Sequence, residues 1–327
     1  MDKMLMRRQS LRAAAALGAT LAAPTLAQAS FPNRPVKLVV PFPPGQATDI
    51  LTRLLAQRLS DQWGQQVLVD NKGGGSGIPA TESVKHAAPD GYTLLLGTSG
   101  PFGINPSLFP DLPYKPLTDF APISLLFLVP LVIVAHPSFP ADSLARLIAL
   151  AKKEPGKYFY GSGGPGSSQH LSMELFKLKT GIDIVHVAYK GSGPAMADLL
   201  SGQIKLMMDS TASSQAAILD KRIKAFAVTT AHHAPAPLDG IPTIGETVPG
   251  FDTAGWAGLA APKGTPPDIV AKISADVQAQ LRAPALIRQV EEKGSLAAPG
   301  TPAEFSAFLK REIETWATVV RATGTKL

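Results

Sequence analysis

Short β-branched runs alternate with stretches of helical period along most of this 327-residue chain, and that alternation limits its folds most sharply. Residues 36–40, 67–69, 93–96, 131–135, 158–160, 184–188, 204–208 and 225–228 have the length and composition of strands. Between them Ile50, Leu51, Leu54, Leu55 and Leu59 recur with a 3.6-residue period. So do Leu144, Leu147, Ile148 and Ala151, and later Ala195, Met196, Leu199 and Leu200. Such alternation builds βαβ units, hence an α/β fold with mainly parallel sheets covered by helices on both faces. Gly64, Gly156, Gly181 and Gly202 each follow a helical stretch, where a left-handed residue ends a helix. Near the C-terminus Pro266-Pro267-Asp268, Ala283-Pro284 and Thr301-Pro302-Ala303-Glu304 each open a helix. The last carries proline at the first helical position and a capping-box glutamate.

The chain divides into two parts. An apolar run at 123–128 reaches Val129-Pro130 after a proline-rich stretch. A second apolar, glycine-rich strand surrounds Trp256. Two crossings at these places make a two-stranded hinge. The expected lobes are residues 30–128 with 253–327, and residues 129–252.

Residues 1–29 read as an export signal. Arg7-Arg8 and Arg12 form a basic start, residues 13–23 a short apolar run, and Ala27-Gln28-Ala29 a small-x-small cleavage site after Ala29. The run is too short for a comfortable span of roughly 20 residues. Arg7-Arg8 with Leu11 also fits a twin-arginine signal, so both the Sec and twin-arginine routes stay open. An amphipathic helix or uncleaved anchor is the alternative. A soluble periplasmic chain is expected. The sequence has no cysteine, so a disulfide framework is excluded. Of the net charge of +6, residues 1–29 carry +3 (Lys3, Arg7, Arg8 and Arg12 against Asp2), leaving +3 without a basic run. Small anions suit that balance; nucleic acid does not.

Two turns carry the functional signal. Pro41-Phe42-Pro43-Pro44-Gly45-Gln46-Ala47-Thr48-Asp49 joins the strand at 36–40 to a helix. Tyr160-Gly161-Ser162-Gly163-Gly164-Pro165-Gly166-Ser167-Ser168 does the same in the second half. Helix-start N–H groups are unpaired and carry partial positive charge. One such start in each lobe suggests a small anion held between them. Neither turn contains Arg or Lys, so hydrogen bonds and helix dipoles are expected to outweigh ion pairs. The second turn also fits G-x-G-x-x-G with Asp183 about 20 residues on, as in a dinucleotide site. Pro165 removes a cradle N–H and weakens that reading. Asp49 reads as a helix-start acid balancing the dipole, and His170 as first-turn packing. Asp209, at the end of the run 204–208, faces a cleft if the sheet is parallel. There it binds a ligand group or makes a structural hydrogen bond. No G-x-S-x-G elbow and no H-E-x-x-H pair is present, so no catalytic residue, metal or cofactor is assigned. A serine–histidine–aspartate triad assembled from separate loops keeps a hydrolase as an alternative.

The ordered set of motifs resembles one family closely. Val39-Val40-Pro41-Phe42-Pro43-Pro44-Gly45 leads to Ala47-Thr48-Asp49, then Ala88-Pro89-Asp90-Gly91-Tyr92-Thr93 and Gly97-Thr98-Ser99-Gly100. The second turn is followed by Val185-His186-Val187-Ala188-Tyr189-Lys190-Gly191 and Asp198-Leu199-Leu200-Ser201-Gly202-Gln203. The chain resembles the receptors of tripartite tricarboxylate transporters, the Bug-type periplasmic solute-binding proteins. The resemblance implies a two-lobed, Venus-flytrap (type II-like) binding protein; a monomer is expected. It would take a mono-, di- or tricarboxylate, acidic amino acid or aromatic acid and hand it to permease subunits. A periplasmic sensor is the alternative. Position by position, the resemblance points to Gly45, Ala47, Thr48, Ser162, Gly163, Ser167 and Ser168, with Thr98 and Ser99 along the cleft. Gln46 departs from the family's usual glycine and is expected to narrow the cleft or donate a hydrogen bond. The loop 71–79 departs too.

Overall fold

The computed structural model describes residues 31–326, and the compact unit that carries the fold starts at Arg34. The expected signal and its cleavage site lie outside the described residues. The first elements are β1 (Val36–Val40), α1 (Ala47–Trp63), β2 (Val67–Asn71), α2 (Ile78–Lys85) and β3 (Thr93–Thr98). A wide-turn π-helical segment, Ser99–Ile104, runs into α3 (Asn105–Leu108) and then β4 (Phe120–Val129). Next come β5 (Leu131–Ala135), α4 (Leu144–Lys153), β6 (Phe159–Ser162), α5 (Ser168–Thr180), β7 (Val185–Ala188) and α6 (Ser192–Ser201). β8 (Leu206–Ser210), α7 (Thr211–Leu219) and β9 (Lys224–Val228) follow, and β10 (Gly255–Pro262) leads to α8 (Pro267–Leu281), α9 (Pro284–Glu291), β11 (Leu296–Ala297) and α10 (Pro302–Thr323).

Two sheets result. One has the order β11-β4-β10-β3-β1-β2, the other β7-β6-β8-β5-β9. The expectation of mainly parallel sheets needs correction: both are mixed. Pairing is parallel at β2-β1-β3 and β7-β6-β8, where crossover helices return the chain in the same direction. It is antiparallel at β3-β10-β4-β11 and at β8-β5-β9. The physical reason is the pair of crossings. Only Pro130 separates β4 from β5, and β10 is the next strand after the second sheet is finished, reached through residues 229–254. Strands that enter by crossing need no helix of their own and run against their neighbours.

Burial follows from position in the sheet. β5, β8 and β10 are buried at every residue, and each is an inner strand. The edge strand β7 is buried at none. Gly258 in β10 has a packing reason to lack a side chain. A Cβ there would lie 2.2 Å from the Phe305 ring, which α10 lays across the strand. Phe305 packs with Phe102, Phe120 and Trp256 in one core. Phe176, Phe251, Tyr160 and Met208 anchor another against the second sheet. A third cluster joins the sides: Leu171 of α5 packs with Trp316, Val319 and Val320 of α10.

Helix ends match the local chemistry. Gly64, Gly181 and Gly202 end α1, α5 and α6 in the left-handed conformation; Gly156 is left-handed but lies past the cap of α4, which is Glu154. Thr301 and Glu304 form the full capping box of α10. Among the described residues no helix is long and apolar enough to cross a membrane.

Candidate functional site

β1 and β6 each lead through a turn into a helix, and the starts of α1 and α5 meet around one open cavity. Gln46, Ala47, Thr48, Thr98 and Ser99 line it from the first sheet. Ser168, Gln169 and Ser210 line it from the second, and Phe42, Val129, Leu131 and Trp256 supply apolar walls. None of these side chains is charged. A neighbouring cavity shares Phe42 and Gly100 with it. Residues 74–77, 163–167 and 189–191 line that second space, where Lys190 is a cationic side chain.

The sequence-derived residues therefore divide. Gln46, Ala47, Thr48, Thr98, Ser99 and Ser168 surround the first cavity. Gly163 and Ser167 line the second. Gly45, Ser162 and Asp209 line neither. The reasons are local. The Gly45 N–H donates to Asp49 Oδ2 at 2.9 Å, so that donor is already used. Asp49 Oδ1 accepts from Arg53 Nε, also at 2.9 Å. Burial opposes the Asp49 charge, but the Gly45 N–H and the Arg53 guanidinium outweigh it and hold the carboxyl below its usual range. Asp49 acts here as the helix-start acid expected of it.

Asp209 belongs to β8 itself rather than to the turn after it, and it is fully buried. Ser192 Oγ donates to one carboxylate oxygen at 2.6 Å and Ser214 Oγ to the other at 2.8 Å. It ties the starts of α6 and α7 together, next in the chain to the cavity-lining Ser210. Burial pushes its carboxyl upward, against the pull of those two hydroxyls.

The second turn satisfies itself. Ser162 Oγ shares a 2.7 Å hydrogen bond with His186 Nε2 and accepts from the Gly164 N–H. Ser167 caps α5: its Oγ donates to Gly164 O at 2.7 Å and accepts from His170 N. His170 Nδ1 accepts from the Gly166 N–H. The rings of His170 and His186 stack at 4.0 Å, and Tyr160 stacks on His186 from the other side. Burial and the nearby Lys177 push His170 down to about 4. Burial, then His170, push His186 to about 3, with Glu174 pulling the other way. The Ser162–His186 pair is a poor nucleophile. The serine is fully buried, and among the described residues no carboxylate bonds the other nitrogen of His186.

The first turn, by contrast, leaves groups open. Gln46 sits at the start of α1 but makes no capping bond. Its Nε2 and the Thr98 Oγ1 are buried and have no hydrogen-bond partner among the described residues. Ala47, Thr48 and Asp49 are first-turn residues whose N–H groups have no partner within the helix.

Sequence reasoning did not assign Phe42, Gly100, Val129, Leu131, Gln169, Ser210, Gly255 and Trp256 to the site. The crossings were its available signal: Val129 and Leu131 flank one, and Gly255 and Trp256 follow the other. Trp256 turns its N–H away to Glu312 Oε2 at 2.6 Å, which leaves its ring as a wall.

A model of the tripartite tricarboxylate transporter family receptor matches residues 51–325. The BugT protein of Bordetella pertussis is 39% identical over 314 residues, 94% of this chain and 95% of that one. Among solved structures, R. palustris Rpa4515 with adipate superposes with a TM-score of 0.87 at 39% identity, covering 90% of this chain and 98% of that one. MatC from Rhodopseudomonas palustris with bound malate gives 0.82 at 33% identity, covering 89% and 100%. The fold is accordingly that of the two-lobed periplasmic solute-binding proteins. With the family model spanning most of its length and relatives similar along nearly all of theirs, the chain belongs to the tripartite tricarboxylate transporter receptor family.

Proposed function

We propose that this protein captures a small organic carboxylate between two lobes and delivers it to the membrane permease of a tripartite tricarboxylate-type transporter. The lobes are residues 30–128 with 253–327, and residues 129–252. The single observation that carries the reading is the first cavity. Two helix N-termini, buried hydroxyls and an amide with an unused N–H converge there without an opposing acid. The relatives solved with adipate and malate support a carboxylate as ligand. Export to the periplasm with cleavage after Ala29, and work as a monomer, complete the proposal. Intact mass of the periplasmic form tests the cleavage: a chain still starting at Met1 overturns it.

The carboxylate meets the open N–H groups at the start of α1 and the hydroxyls of Thr48, Thr98 and Ser168. No cation is needed to neutralise it, because partial charges at two helix starts and neutral donors share its charge. A thermal-shift screen of the protein against mono-, di- and tricarboxylates tests this. A ligand at about 100 times its dissociation constant stabilises by about 2.7 kcal/mol. A panel without any shift overturns the proposal.

A further inference from the structure

The receptor reading leaves open which acids fit, and one residue bears on it directly. Gln46 is 7% exposed, and its Nε2 is a buried donor without a partner among the described residues. The side chain crosses from the start of α1 toward the opposite side of the cleft. Its Nε2 lies 2.8 Å from where a Cβ on Gly191 would stand, and Gly191 has a φ of +111°. Gly191 lines the second cavity, whereas Gln46 lines the first. The glutamine amide therefore stands at the boundary of the two spaces, and Gly191 is the residue that leaves room for it.

The two spaces differ chemically. The first has hydrogen-bond donors, has Leu131, Trp256 and the shared Phe42 as apolar walls, and has no charged side chain. The second has the exposed Lys190. A diacid that filled both would put its chain through the place Gln46 occupies. A single carboxylate with an apolar remainder matches the uncharged, partly apolar lining of the first space and offers the unused Nε2 an acceptor.

We propose that Gln46 determines specificity: its amide bonds the bound acid and closes the passage to the second cavity, so that the ligand is a monocarboxylate with an apolar or aromatic remainder. This rests on the receptor reading above and names its substrate class. The resulting complex gains one hydrogen bond at a group buried unpaired without ligand, which is the situation in which a donor discriminates most strongly.

Calorimetric titration with benzoate, hexanoate and adipate tests it on the wild-type protein and two variants. Gln46→Gly removes both barrier and donor at a helix-start position where glycine is tolerated and no capping bond is lost. Gln46→Leu keeps the bulk and removes the donor. The wild type is expected to bind a monocarboxylate at least about 10-fold more tightly than adipate. Gln46→Gly should narrow or reverse that ratio by about 10-fold, and Gln46→Leu should weaken the monocarboxylates while adipate stays excluded. Adipate binding the wild type more tightly than both monocarboxylates, or an unchanged ratio in Gln46→Gly, overturns the assignment and leaves the receptor reading intact. Binding of no acid by any form overturns the receptor reading and this one with it.

Discussion

The two strand-to-helix turns look alike as sequence and behave differently as structure. The turn before α1 spends its polarity on the cleft: Thr48, Gln46 and the neighbouring Thr98 face the cavity, and two of their polar atoms are unpaired among the described residues. Apart from Ser168, which lines the first cavity, the turn before α5 spends its polarity on itself. Ser162, Ser167, His170 and His186 bond one another or the loop backbone between Gly164 and Gly166. The first turn is therefore built to bind and the second to hold its shape. Buried donors without partners raise the free energy of the unliganded protein, and a ligand that pairs them recovers that cost. A turn whose donors are already paired offers a ligand its backbone and its rigidity.

The difference is sharpest in acid. His170 and His186 are held neutral, at about 4 and about 3 against an ordinary 6.5. The groups around them are Lys177, Glu174, Tyr160 and the C-terminal Lys326. Both folded values are lowered, so the unfolded chain binds more protons between pH 6.5 and about 4. Stability therefore falls as pH falls through that window, by up to about 1.4 kcal/mol per pH unit for each histidine. Urea titrations at pH 7, 5.5 and 4.5 should show the loss, and His186→Gln should flatten it. An equal slope in the variant would remove the histidine stack from the account.

The next largest effect belongs to the first turn. Thr48→Val keeps the shape and removes a hydroxyl from the cavity. Affinity for the bound acid should fall by about 1.5–3 kcal/mol, roughly 10- to 150-fold, with unliganded stability nearly unchanged. Ser162→Ala should do the opposite. It leaves His186 Nε2 without its buried partner and costs about 1–3 kcal/mol of stability. Binding should change by less than about threefold, because Ser162 lines neither cavity. Calorimetry and denaturant unfolding on both variants decide it, and the comparison breaks if Ser162→Ala weakens binding as much as Thr48→Val does.

How much of this was legible from residues alone follows the same division. The alternation of runs locates β1, β5 and the helices between the parallel strands, because periodicity and caps are local. The antiparallel halves of the sheets were not legible: which strand neighbours β10 depends on where a chain that has left one sheet re-enters it, and no local pattern encodes that. Thr48 and Ser168 were readable as helix-start residues. Asp209 was misplaced because a run ending at Met208 looked like the end of a strand that continues to Ser210. Trp256 and Leu131 were missed as cavity walls because an apolar residue in a strand looks the same whether it faces a core or a ligand.

The smallest expected effect tests the two helix starts against each other directly. Ser167 caps α5 through its bond from His170 N, whereas Gln46 makes no capping bond to α1. Ser167→Ala removes an acceptor from a first-turn N–H and should cost about 1 kcal/mol of unliganded stability, within a range of about 0.5–2. Gln46→Ala removes no cap and withdraws a buried donor that has no partner among the described residues, so it should cost less than about 0.5 kcal/mol or stabilise slightly. The two substitutions sit at equivalent N-cap places on two helices, both with extended backbone, so alanine is an equally poor N-cap at each apart from the bond it removes. Denaturant unfolding of the ligand-free proteins in one buffer therefore isolates the capping bond. A Gln46→Ala loss as large as that of Ser167→Ala would mean that the glutamine supports the fold of its turn, and the contrast between a binding turn and a self-holding one would fail.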